Sequence, residues 1–160
     1  MPEPSRVIAA IALGSNLSSP FGAPQDNVTE ALRLAGELGV VVRVSSFYET
    51  EPVGYLDQPR FVNAAALLET ALGPLELLRG MMRIEQVMGR DRTWVPAKGP
   101  RVIDLDLLLY GSLVLDDPEL TLPHPAMQER RFVLEPLAEI APAMVHPVSH
   151  KTIAELLGAL

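Results

Sequence analysis

Three features of this chain predict an α+β fold, an α/β sandwich in which a mainly antiparallel sheet carries helices packed on it. Short apolar, β-branched segments alternate with stretches of helical periodicity in the order strand, helix, strand, strand, helix, strand. Gly, Pro or Asn stands at most of the junctions, where the backbone must turn. With 48% of 160 residues hydrophobic and 21% charged, the chain has apolar material for a sizeable core, and residues 1–160 are expected to form one domain.

Val7 to Leu13 is apolar, β-branched at Val7, Ile8 and Ile11, and closed by Gly14-Ser15-Asn16, so it reads as a buried first strand. Val28, Ala31, Leu32, Ala35 and Leu38 recur at helical spacing, and Gly39 offers a stop. Val40 to Tyr48, rich in Val and Ser, predicts a second strand, and the Pro- and Gly-containing stretch from Glu51 to Pro59 a loop. A third strand spans Phe61 to Thr70, with Phe61, Asn63, Ala65 and Leu67 on one face.

Gly73-Pro74 opens a second helix with Leu77, Met81, Ile84 and Met88 as its apolar stripe and Gly89 as its terminator. Residues 90–101 are charged, aperiodic and long enough to predict a functional mobile loop. Val102 to Tyr110 is a fourth strand. A short helix is expected to begin near Pro136, and Thr152 with Glu155 at capping-box spacing opens a last one. This order is the split βαβ of a ferredoxin-like sandwich, with helices expected on one face of the sheet.

Composition removes several function classes. A net charge of −7 argues against broad binding to nucleic acid or anionic membranes. The apolar runs fall far short of the roughly 20 residues of a membrane-spanning helix, and no secretory signal is evident, so a cytoplasmic protein is expected. There is no cysteine, hence no disulfide and no thiolate chemistry. Six of the 13 basic residues nevertheless lie between Arg79 and Arg101, with Arg130 and Arg131 as a second pair. That concentration points either to a compact anionic ligand or to a solvated basic face. The P-loop, dinucleotide-binding and nucleophile-elbow motifs are all missing, so arginines and metal would have to hold any nucleotide.

Asp104 and Asp106 stand at i and i+2, which on a strand points both carboxylates to one face about 6.6 Å apart, with the intervening leucines toward the core. Two such charges repel by about 2.5 kcal/mol at an effective dielectric near 20. A bound divalent cation reverses that cost, and magnesium characteristically takes one or two carboxylates while keeping positions for water and phosphate oxygens. A solvated edge strand is the competing explanation. Asn63, in an apolar stretch, needs partners for its amide; a heterocycle edge could supply them with Phe61 stacked on the ring, or the amide could tie down a neighbouring loop. Phe132 reads first as core. His124, stiffened between Pro123 and Pro125, could donate to a phosphate. No zinc site is supported.

Gly14-Ser15-Asn16-Leu17, Ser45-Ser46-Phe47-Tyr48-Glu49-Thr50, Phe61-Val62-Asn63-Ala64-Ala65, the block from Gly99 to Leu107 and Leu122-Pro123-His124-Pro125 occur in that order. In this arrangement the chain, from Val7 to about Pro142, resembles the 6-hydroxymethyl-7,8-dihydropterin pyrophosphokinases of folate biosynthesis. The resemblance implies transfer of a pyrophosphoryl group from ATP to the pterin hydroxymethyl oxygen, giving AMP and the pterin diphosphate, by a ferredoxin-like monomer. It implies that Asp104 and Asp106 coordinate two magnesium ions, that Phe61 and Phe132 sandwich the pterin, and that Asn63 and backbone near Val53 read its edge. By the same resemblance Glu85, Arg90, Arg92, Arg101, Thr121, His124 and Arg130 form the ATP site, and Arg90 and Arg92 lie on a loop that closes over the reactants to take part in catalysis. The chain departs from many members at Ala97-Lys98, where they carry Arg-Trp. A nucleotidyl cyclase or polymerase-palm relative, and a non-enzymatic ligand-sensing module, are the competing functions for a fold of this class.

Overall fold

The computed structural model describes residues 6–50, 60–89 and 101–160. Strand β1 (Val7–Ser15) leads into helix α1 (Pro24–Ala35), followed by β2 (Val40–Val44), β3 (Tyr48–Thr50), β4 (Phe61–Thr70), α2 (Pro74–Val87) and β5 (Asp104–Tyr110). A small hairpin of β6 (Leu115–Asp116) and β7 (Thr121–Leu122) precedes a 3-10 turn at Met127–Glu129, α3 (Arg131–Ile140) and α4 (Ile153–Gly158). Strands run β2-β4-β1-β5, with β3 beside β2 along the same edge of β4, and the pairings are antiparallel. This is the ferredoxin-like order. Among the described residues no helix is long and apolar enough to cross a membrane.

Helix starts follow local chemistry. Pro24 and Pro74 occupy first-turn positions where no N–H is needed, and the carboxylates of Asp26 and Glu76 accept the N–H groups of Ala23 and Gly73 at 2.9 and 3.2 Å. Thr152 and Glu155 cap α4 reciprocally, as their spacing predicts. Gly89, past the end of α2, has φ +92°, the left-handed stop that favours glycine.

Three expectations change. Helices cover both faces of the sheet: α1 and α2 pack on Ala9, Ile11, Ala64, Leu68 and Leu107, whereas α3 and α4 pack on Ala10, Ala65, Leu67 and Leu108. The unbroken apolar run of β1 carries the reason, because a strand buried on both sides does not alternate. The single strand expected from Val40 to Tyr48 divides at Ser45–Phe47. There the Ser45 hydroxyl accepts the Ala65 N–H at 2.9 Å, in the place a main-chain carbonyl would take. Helix α3 starts at Arg131, and Pro136 is buried inside it, so the Phe132 carbonyl lacks an i+4 N–H donor.

Candidate active site

Cross-strand register builds the floor of the site. Gly14 of β1 lies between Asp104 of β5 and Asn63 of β4, and Ala12 lies between Asp106 and Ala65. At roughly 5 Å per strand, Asp104 and Asn63 stand about 10 Å apart across Gly14. Both belong to the face covered by α3. A Cβ on Gly14 would come within 3.1 Å of the Asn63 amide oxygen, so the bare backbone keeps this floor open. Above it lies a cavity of about 580 Å³ whose lining includes Thr50, Phe61, Asn63, Arg101, Asp104, Asp106, Arg130, Arg131 and Phe132.

Asp104 and Asp106 are half-buried while Leu105 and Leu107 are buried beneath them, as the i, i+2 spacing predicts. Glu85, only 2% exposed, reaches from α2 to accept the Leu105 N–H at 2.8 Å. It thereby fixes the strand between the two aspartates. Arg101 donates from Nη1 to Asp104 Oδ2 at 2.8 Å, and its main chain is gripped by the loop after β1. The Asn16 amide oxygen accepts the Arg101 N–H at 2.7 Å, and the Arg101 carbonyl accepts from Asn16 and Leu17 at 3.0 and 3.1 Å. Asn27 of α1 secures that loop in turn, donating to the Leu17 carbonyl at 2.7 Å. Arg101 Nε is buried with no hydrogen-bond partner among the described residues.

At the other end of the cavity Asn63 donates to the Thr50 hydroxyl at 2.5 Å, which orients its amide and leaves one N–H and the carbonyl oxygen for other partners. The Arg130 guanidinium lies 5.6 Å over the Phe132 ring. His124 stands beside the aspartates, Nε2 being 3.9 Å from Asp106 Oδ1, while Nδ1 accepts the Ala126 N–H at 3.2 Å. Burial and the charge of Arg130 push its imidazole below the usual histidine range, against a smaller pull from Asp104, so at neutral pH it is an uncharged Nε2–H donor.

The structure thus gathers Phe61, Asn63, Phe132, Arg101, Asp104, Asp106 and Arg130 around one cavity, with His124 at its side. Glu85 lies behind β5 and Thr121 is exposed on β7. Val53, Arg90 and Arg92 lie outside the described residues. Sequence reasoning did not single out Gly14, Thr50 or Arg131 as site residues. The first two are visible only through strand register, and Arg131 only once α3 is known to start there.

The model of the family described as 7,8-dihydro-6-hydroxymethylpterin-pyrophosphokinase matches residues 10–142. The chain belongs to this family. The 2-amino-4-hydroxy-6-hydroxymethyldihydropteridine pyrophosphokinase of Haemophilus influenzae is 44% identical over 155 residues, covering 94% of this chain and 91% of that protein. The folic acid synthesis protein fol1 of Schizosaccharomyces pombe is 43% identical over 96% of this chain, which spans only 20% of that longer protein. In fold, the wild-type HPPK-DHPS of Plasmodium falciparum superposes with a TM-score of 0.75 at 18% identity, over 99% of this chain and 45% of that one. Membership places the chain among the pyrophosphokinases, which are ATP-dependent diphosphotransferases.

Proposed function

We propose that residues 1–160 form a single pterin pyrophosphokinase domain that transfers the pyrophosphoryl group of ATP to the hydroxymethyl oxygen of 6-hydroxymethyl-7,8-dihydropterin. The products are AMP and the pterin diphosphate. The observation that carries the reading is the polarity of one cavity: aromatic walls and an amide at the Asn63 end, paired carboxylates and arginines at the Asp104 end. A flat heterocycle with hydrogen-bonding edges suits the first, and a metal-bound polyphosphate suits the second. The 10 Å between them is the span of a fused-ring substrate reaching a phosphate chain.

The donor set fits magnesium. Two carboxylates on one strand face, opening on a cavity, leave most of a six-coordinate shell to phosphate oxygens and water. Among the described residues no group of three or more His, Asp or Glu side chains forms a self-contained metal cage. Asp104 and Asp106 would hold the ions, two in number by the family resemblance, which neutralise phosphate charge when bound. The remaining work is positioning. Arg101, whose buried Nε has no partner among the described residues, and Arg130, at the lip over Phe132, present guanidinium forks to phosphate oxygens. His124 offers its Nε2–H. Phe61 and Phe132 hold the ring, and Asn63, oriented by Thr50, reads its edge.

In the reaction the hydroxymethyl oxygen bonds to the β-phosphorus and loses its proton. The bond from that phosphorus to the α,β-bridging oxygen breaks, its electron pair leaving with AMP. Val53 in the pterin pocket, Arg90 and Arg92 as closing and catalytic residues, and Glu85 and Thr121 in the ATP site complete the assignment on the family resemblance. The same reading makes the protein a cytoplasmic monomer acting on small molecules, without nucleic acid or membrane partners.

Product analysis by phosphorus NMR tests this, using protein, ATP, magnesium and 6-hydroxymethyl-7,8-dihydropterin beside a reaction lacking the pterin. AMP that forms only with pterin present is the expected result. Release of free pyrophosphate, or AMP formation indifferent to pterin, would overturn the assignment.

A further inference from the structure

The carboxylate of Glu139, near the end of α3, is engaged by Ser46 and Tyr48, at the start of the strand that carries Thr50 into the cavity wall. It accepts the Tyr48 hydroxyl at 2.5 Å, the Ser46 N–H at 3.0 and 3.1 Å on its two oxygens, and the Ser46 hydroxyl at 3.0 Å. One residue on, the Ile140 carbonyl accepts from Arg43 Nη1 at 3.1 Å. The end of α3 is therefore tied to both β2 and β3, and the break in the ladder at Ser45 is what frees the Ser46 N–H to face the helix.

What these ties hold lies in the cavity. Tyr48 pairs with Asn63, and Thr50 with Phe61, in the β3–β4 register. Thr50 also orients the Asn63 amide. On the other side, Phe132 precedes Glu139 by seven residues, two helical turns, so both project from the same side of α3 about 10 Å apart along its axis. The helix is a short rigid bar with a cavity wall at one end and the carboxylate at the other.

We propose that Glu139 is a positioning residue for the pterin: by clamping Tyr48 and Ser46 to α3 it sets the separation of the Phe61 and Phe132 walls and the orientation of Asn63. Of the phosphate end, Asp104, Asp106 and Arg101 are held by β1, α2 and the loop after β1, outside this clamp, and only Arg130 rides on α3. The clamp's charge state agrees with it. Bonds from Tyr48 and Ser46 hold the Glu139 carboxyl below its ordinary range, and the carboxylate holds the Tyr48 hydroxyl up at about 12. The inference rests on the pterin reading given above.

Glu139→Gln and Tyr48→Phe test it. Pterin dissociation constants by fluorescence and those of a non-hydrolysable ATP analogue by calorimetry are measured for each, with urea midpoints alongside. Pterin binding is expected to weaken about tenfold in both variants, as expected for losing a hydrogen bond to a charged group, while ATP-analogue binding moves less than about twofold. Should Glu139→Gln fail to fold, Tyr48→Phe, which removes one hydroxyl, gives the same readout. Equal weakening of both ligands would reduce the clamp to general stability and overturn the proposal, as would unchanged pterin affinity. A wild-type protein that binds no pterin would overturn the functional reading and this inference together, whereas tight wild-type binding with unaffected variants overturns the inference alone.

Discussion

Asp106 has one side chain and two neighbours of opposite meaning, a partner carboxylate two residues away on the same face and the His124 imidazole at 3.9 Å. Its removal takes away a metal ligand without touching the core, since Leu105 and Leu107 carry the packing. Asp106→Ala is therefore expected to lower kcat by at least about 10³-fold while the unfolding free energy from urea titration stays within about 0.5 kcal/mol of wild type. Near-normal turnover would remove Asp106 from the metal site. Asn63→Ala addresses the other end of the cavity. Losing the amide that Thr50 orients is expected to weaken pterin binding by about 10- to 100-fold and leave ATP binding nearly unchanged, as two titrations would show. The aspartates and Asn63 were both legible before any coordinates, because polar residues in apolar strands need partners. Thr50 and Gly14 were not, since nothing in either residue's own surroundings announces that β3 or β1 will bring it under a ligand.

Elements were read from the sequence as well as their punctuation allowed. Strand β4 and helix α2 fall where expected because Gly73-Pro74 and Gly89 mark the ends of the helix and a nearly continuous apolar run marks the strand. Helix α3 was misplaced for one reason: Pro136 reads as a helix start, yet it is buried in the interior of the helix. The division between β2 and β3 was equally hidden, because a serine hydroxyl standing in for a carbonyl leaves no periodic trace. Gly39 shows what punctuation is for. It joins α1 to β2 with its Cα pressed on β4, and an added Cβ would lie 2.3 Å from the Glu69 carbonyl oxygen. Gly39→Ala must push β2 off β4, so a loss of about 1–3 kcal/mol is expected from urea unfolding, with ligand affinities changed little.

At the scale of the whole molecule an acid sensitivity is expected from histidines that the fold buries uncharged. His146 is only 1% exposed, and its Nδ1 accepts the Ser149 N–H at 3.1 Å, folding the chain back ahead of α4. Burial first, and the nearby His150 second, push its imidazole below the ordinary value of 6.5. A base whose folded pKa is lowered gives its full stabilisation above its unfolded pKa and loses it as pH falls toward the lowered one, because the unfolded chain then takes up a proton that the folded chain refuses. His124 has the same sign. Urea midpoints are thus expected to fall as pH drops below about 6.5, and His146→Gln, whose amide oxygen can still accept the loop N–H, is expected to flatten that slope in part. An unaltered slope would assign the sensitivity elsewhere. Glu139 and Tyr48 frame the window more widely: their bond is intact above the ordinary carboxylate value of 4.5 and is lost at the alkaline end as pH rises from 10 toward about 12.

The five-stranded sheet is also a partition for directed evolution. A strand side chain answers to one face or the other, so Ile11, Ala64 and Leu68 can be varied for thermal robustness beneath α1 and α2, while Ala12, Phe61 and Phe132 on the opposite side are varied for substrate preference. Libraries drawn from the two sides share few contacts, and their winners are expected to combine with close to additive gains.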